Sequence, residues 1–108
     1  MTIEILYSDG CPNHEQLAQR LPGLLRGAGI DADLTMRRVD NVEEAERERF
    51  LGSPTIRVNG KDIEPDADRR SDFGLKCRLY RTRHGLIGTP PDAWVLAALE
   101  PHAPPSPG

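Results

Sequence analysis

One dipeptide fixes more of this chain's architecture than any other feature. Asn59-Gly60 lies between Ile56 and Val58, which alternate with polar residues, and the returning stretch Lys61 to Glu64. A two-residue Asn-Gly link supplies the two positive φ angles that a tight hairpin turn demands, so residues 55–64 read as two antiparallel strands. A hairpin this short needs a larger sheet to join. The only other strand-like runs upstream are Ile3 to Tyr7, rich in β-formers, and a half-exposed stretch around Leu34, Met36 and Val39.

Between those two runs lies a helix. From Pro12 onward Leu17, Leu21, Leu24, Leu25 and Ala28 fall at helical spacing, with Glu15, Gln16, Gln19 and Arg20 opposite them. Pro12 suits the first turn, where the amide it lacks has no intrahelical partner. Pro22-Gly23 is expected to kink or split the helix, and Gly27 and Gly29 to end it. A second helix is capped by Asn41, with Glu44 three residues on, and is expected to run to Gly52 with Ala45, Phe50 and Leu51 turned inward. After the hairpin, residues 65–76 read as an irregular loop, Cys77 to Tyr80 as extended, and Gly85 to Gly88 as a turn. A last helix covers about Pro91 to Leu99, with Trp94, Val95, Ala98 and Leu99 as its buried stripe. Residues 101–108, rich in proline, read as a disordered tail behind one domain spanning 1–100.

The order is strand, helix, strand, helix, hairpin, helix. Because a strand–helix–strand unit crosses over right-handedly, the first two strands are expected to be parallel. The fold class is therefore α/β, with a central mixed sheet and helices on both faces.

Composition narrows the function. With 37% hydrophobic residues in 108, there is material for one core, and no run approaches the length of a membrane span. A formal net charge of −3 argues against a nucleic-acid binder. The start, M-T-I-E-I-L-Y-S, lacks the basic and apolar regions of a secretory signal, which leads to the expectation of a cytoplasmic, reducing setting. In such a setting the two cysteines, Cys11 and Cys77, are more often reactive, metal-binding or buried than structural. No phosphate-cradling glycine loop, Ser/His/Asp elbow or H-E-x-x-H motif is present, so no cofactor is expected.

Cys11 sits in S-D-G-C-P-N-H, where the first strand gives way to the first helix. Unpaired amides and the positive end of the helix dipole favour thiolate there, and His14, one turn on, is a candidate donor to it. From Arg69 to His84 six basic residues (Arg69, Arg70, Lys76, Arg78, Arg81, Arg83) face one acid, Asp72, with Cys77 among them. That run is either a solvated face or an attractor for an anionic thiol.

The element order, Cys11 at the end of strand one, Ser53-Pro54-Thr55 opening the hairpin and Asn59-Gly60 at its turn together resemble the thioredoxin and glutaredoxin superfamily. The resemblance implies a thioredoxin-like fold, Cys11 as attacking thiolate, and Ser53-Pro54-Thr55 as a cis-proline segment that lies against the cysteine and binds an extended substrate through its backbone. His14 stands where the family's second cysteine usually does, so C-P-N-H departs from C-x-x-C. The chain is also similar to small proteins loosely labelled alkylmercury lyase-like. By that topology the hairpin returns residues 65–77 to the Cys11 end of the sheet, so Cys77 is expected close to Cys11 as its resolving partner, with packing into the core as the alternative. The leading expectation is a thiol-disulfide oxidoreductase acting on a protein or small-molecule thiol or disulfide, as monomer or homodimer. The alternatives are a mercury or soft-metal handler using Cys11 and Cys77, since sulfur selects such metals, and a non-catalytic binding module.

Overall fold

The computed structural model describes residues 1–99; the expected tail at 101–108 lies outside them. Its main sheet has four strands, β1 (Thr2–Tyr7), β2 (Asp33–Arg38), β3 (Thr55–Val58) and β4 (Lys61–Asp62), in the order β2-β1-β3-β4. β1 pairs parallel with β2 and antiparallel with β3, and β3 pairs antiparallel with β4. The sheet is thus mixed, within an α/β chain. Asn59 and Gly60 have φ of 51° and 85°, the two left-handed residues that the tight turn requires.

The strand period of two assigns the faces. Ile3 and Ile5 on β1, with Ile56 and Val58 opposite them on β3, pack against Leu17, Leu21 and Leu25 of helix α1 (Asn13–Gly27) and Val95 and Leu99 of helix α3 (Asp92–Leu99). Leu6 points to the other face, where it meets Val39, Phe50 and Ala45 of helix α2 (Val42–Arg47). Two helices therefore cover one face and one covers the other.

Pro22 neither splits nor ends α1, which runs on to Gly27. Leu21 and Leu25, on either side of it, are buried in one core, and this packing outweighs the missing hydrogen bond. Ala28, by contrast, lies outside the stripe and is exposed at the helix end, where Gly29 takes φ 69°. α2 stops at Arg47 rather than reaching Gly52. Arg49 adopts φ 56°, the Phe50 amide donates back to the Ala45 carbonyl, and the chain turns Phe50 and Leu51 into the core. At the other end Asn41 Oδ1 accepts from the Glu44 amide, while Glu44 Oε1 accepts from the amide of Asp40, one residue ahead of the cap. In α3 Val95 and Leu99 are buried, but Trp94 and Ala98 are only half-buried.

The main difference from the sequence reading is a second, two-stranded sheet. β5 (Tyr80–Thr82) pairs antiparallel with β6 (Gly85–Ile87), so Gly85 to Ile87 is strand, and the reversal falls at Arg83-His84. Thr82 Oγ1 closes that reversal, donating to the Gly85 carbonyl and accepting from the His84 amide. Among the described residues no helix is long and apolar enough to cross a membrane.

Candidate functional site

Cys11 and Cys77 form a disulfide across 66 residues of sequence, with their Cα atoms 5.6 Å apart. Cys11 belongs to the link between β1 and α1, residues 8–12, and is buried at 4% exposure, whereas Cys77 is exposed. The topology that returns the hairpin toward the Cys11 end of the sheet does bring the second sulfur there. Packing of Cys77 into the core, the other expectation, is overturned by its exposure.

Ser53, the first residue of Ser53-Pro54-Thr55, lies beside Cys77. The Ser53–Pro54 peptide is cis. Ser53 and Cys77 form an isolated parallel bridge: the Ser53 amide donates to the Lys76 carbonyl and the Ser53 carbonyl accepts from the Arg78 amide, both at 2.8 Å. The chain's own segment 76–78 thus uses both strand-pairing groups of Ser53. The hydroxyl of Ser53 is fully buried and has no hydrogen-bond partner among the described residues.

His14 does not hydrogen-bond to a sulfur. Its Nδ1 lies 2.7 Å from the Cys11 carbonyl oxygen, which only accepts, so Nδ1 carries the proton. Its ring stacks on Tyr7 at 4.2 Å. These contacts make His14 a brace for the backbone at Cys11. Tyr7, Gly10, Cys11, Pro12 and His14 line a shallow open cleft of about 360 Å³. A larger open groove of about 1020 Å³, between the β3–β4 hairpin and α3, includes neither cysteine.

The basic run around Cys77 is not one solvated face. Arg78 is fully buried as a side chain, and its guanidinium bonds both Asp62 oxygens, Glu64 Oε1 and Thr55 Oγ1. It lies 4.5 Å from the centre of the Tyr80 ring, and the Tyr80 hydroxyl donates to the Pro54 carbonyl. Burial opposes the charge on Arg78, yet its hydrogen bonds to Asp62 and Glu64 and its charge neighbours raise its pKa above the ordinary arginine value. Further out, Arg70 forms ion pairs with Glu64 and Asp72, and Lys76 with Asp72. Hydrogen bonds from Arg70 and Lys76 hold the Asp72 carboxyl well below the usual range. Arg69, Arg81 and Arg83 are exposed.

Sequence reasoning therefore missed the residues that hold Cys77 in place. Alternation carried the signal: Cys77 and Leu79 are exposed while Arg78 and Tyr80 are buried, so an arginine occupies a core slot and needs the paired carboxylates Asp62 and Glu64. Among the described residues no three His, Cys, Asp or Glu side chains are grouped to hold a metal ion. No family model, curated protein or solved structure matches the chain.

Proposed function

We propose that this protein is a thioredoxin-like thiol-disulfide exchange protein that cycles between the Cys11–Cys77 disulfide and the dithiol. One observation carries the reading. The disulfide joins the head of α1, where a thiolate is favoured, to an exposed residue held beside the Ser53-Pro54-Thr55 segment. The sheet order, with α1 and α3 on one face and α2 on the other, supports the thioredoxin-like fold.

The chemistry follows from the two ends. Exchange is fast when the departing sulfur is a stable thiolate, because a leaving thiol of low pKa departs more readily. Cys11 stands at the head of α1, one residue ahead of Pro12, where the helix dipole favours a departing thiolate, and His14 bonds its carbonyl. Cys77 replaces the second cysteine that C-P-N-H lacks, and closes the cycle from a distant part of the chain.

The test is the pH dependence of Cys11 alkylation in a Cys77→Ser protein. A midpoint clearly below the free-thiol value of about 8.5 is expected. A midpoint at or above that value would sink the reading and leave the disulfide a structural staple.

A further inference from the structure

Within the exchange function proposed above, on which this step rests, we infer that the sulfur open to attack is Cys77 rather than Cys11, and that its partner is a low-molecular-weight thiol. Accessibility points to the first half: Cys11 is 4% exposed and Cys77 is exposed. In the reaction, the partner thiol loses its proton to solvent and its thiolate attacks Cys77 Sγ. A bond forms between that sulfur and the partner's, the Cys11–Cys77 bond breaks, and its electron pair leaves on Cys11 Sγ. The departing thiolate then belongs to the residue that stands at the head of α1. A second molecule of the same thiol attacks the partner's sulfur in the mixed disulfide, releasing the Cys77 thiolate and a small-molecule disulfide. Two thiols are oxidised and one protein disulfide is reduced.

The second half follows from Ser53. A polypeptide substrate held as an added strand needs a free amide and carbonyl on the edge that it joins. At Ser53 both are spent on Lys76 and Arg78. This segment is anchored independently of the disulfide. Arg78 is clamped between Asp62, Glu64, Thr55 and the Tyr80 ring, and the backbone packs so closely on Gly52 that a Cβ there would stand 3.0 Å from the Lys76 carbonyl oxygen and Arg78 Cβ. Reduction removes one tether and leaves the others, so the strand position stays filled in both redox states. A small thiol needs no strand position and reaches Cys77 directly.

The experiment exposes the oxidised protein briefly to reduced glutathione, quenches with iodoacetamide, and maps the adducts by mass spectrometry. Glutathione on Cys77 with alkylated Cys11 is expected in roughly tenfold or greater excess over the converse, as accessibility governs which sulfur is attacked. Glutathione mainly on Cys11 would overturn the inference while leaving the exchange function standing. A disulfide that neither glutathione nor dithiothreitol opens would overturn both. In parallel, an unstructured peptide with one cysteine is expected to react no faster than glutathione; a rate about tenfold higher would show that a strand site is open and overturn the small-thiol assignment.

Discussion

Ser53 and Cys77 stand side by side in a bridge whose two hydrogen bonds, Ser53 amide to Lys76 carbonyl and Arg78 amide to Ser53 carbonyl, are each 2.8 Å long. The bridge ties the loop bearing one sulfur to the segment that follows α2 and leads into β3. Its strength rests on Arg78.

Replacing Arg78 by Met keeps much of the side chain's bulk and leaves Asp62, Glu64 and Thr55 without their shared donor. Removing one partner of a buried ion pair is costly, so a loss of about 3 kcal/mol in urea unfolding is expected. Faster hydrogen exchange at the Ser53 amide should accompany it. Arg78→Lys is expected to recover only part of the loss, because an ammonium cannot span both Asp62 oxygens. Wild-type stability in Arg78→Met would show that the clamp is not what holds Cys77.

Gly52 has φ 122°, and a Cβ there would meet the Lys76 carbonyl and Arg78 Cβ at 3.0 Å. Gly52→Ala should therefore lower stability by about 2 kcal/mol and loosen residues 76–78. Gly27→Ala is the control: among the described residues nothing beyond its chain neighbours and its own helix backbone lies within 4 Å of the added methyl, and its φ is ordinary, so it should stabilise by about 0.5 kcal/mol. Equal effects at the two sites in thermal melts would contradict the close packing described for Gly52.

Burial raises the pKa of Tyr80 from its ordinary 10.0. Below pH 10.0 the phenol is neutral whether the protein is folded or unfolded, and this contribution is constant. As the pH rises past that value the unfolded chain ionises first, and stability falls toward the higher folded pKa. The urea midpoint of the wild type should then drop more steeply above pH 10.0 than that of Tyr80→Phe. Parallel curves for the two proteins would show that Tyr80 is not sequestered.

The buried, unpartnered hydroxyl of Ser53 predicts an unusual result for Ser53→Ala. An unsatisfied buried polar group costs about 1–3 kcal/mol, so the oxidised variant should be as stable as wild type or more so. A loss above about 1 kcal/mol in chemical unfolding would mean that the hydroxyl has a partner when oxidised.

How much of this was legible beforehand differs from element to element. Asn59-Gly60, the leucines of α1 and the Asn41 cap are local signals, and each element formed where its signal lay. The approach of Cys77 to Cys11 follows from hairpin direction once the resemblance sets Pro54 at the Cys11 end of the sheet, since a short turn brings the chain back there. What stayed hidden depends on pairing across distance. Arg78 reads as one more charge in a basic run until Asp62 and Glu64 are seen against it, and β6 carries no polar alternation to set Gly85 to Ile87 apart from a turn. His14 is a candidate donor to the sulfur by spacing alone, but its stacking on Tyr7 and its bond to the Cys11 carbonyl take its Nδ1 elsewhere. The end of α2 was misplaced because burial of Phe50 and Leu51, rather than helix propensity, ends it.

The most direct test of the exchange function is the redox equilibrium of the Cys11–Cys77 pair, read by counting alkylated thiols after incubation across a series of reduced-to-oxidised glutathione ratios. An exchange protein should pass smoothly from disulfide to dithiol within that series, at a potential above the roughly −300 mV below which structural disulfides lie. A pair that stays fully oxidised in a large excess of reduced glutathione, with the fold intact, would contradict the function proposed for it.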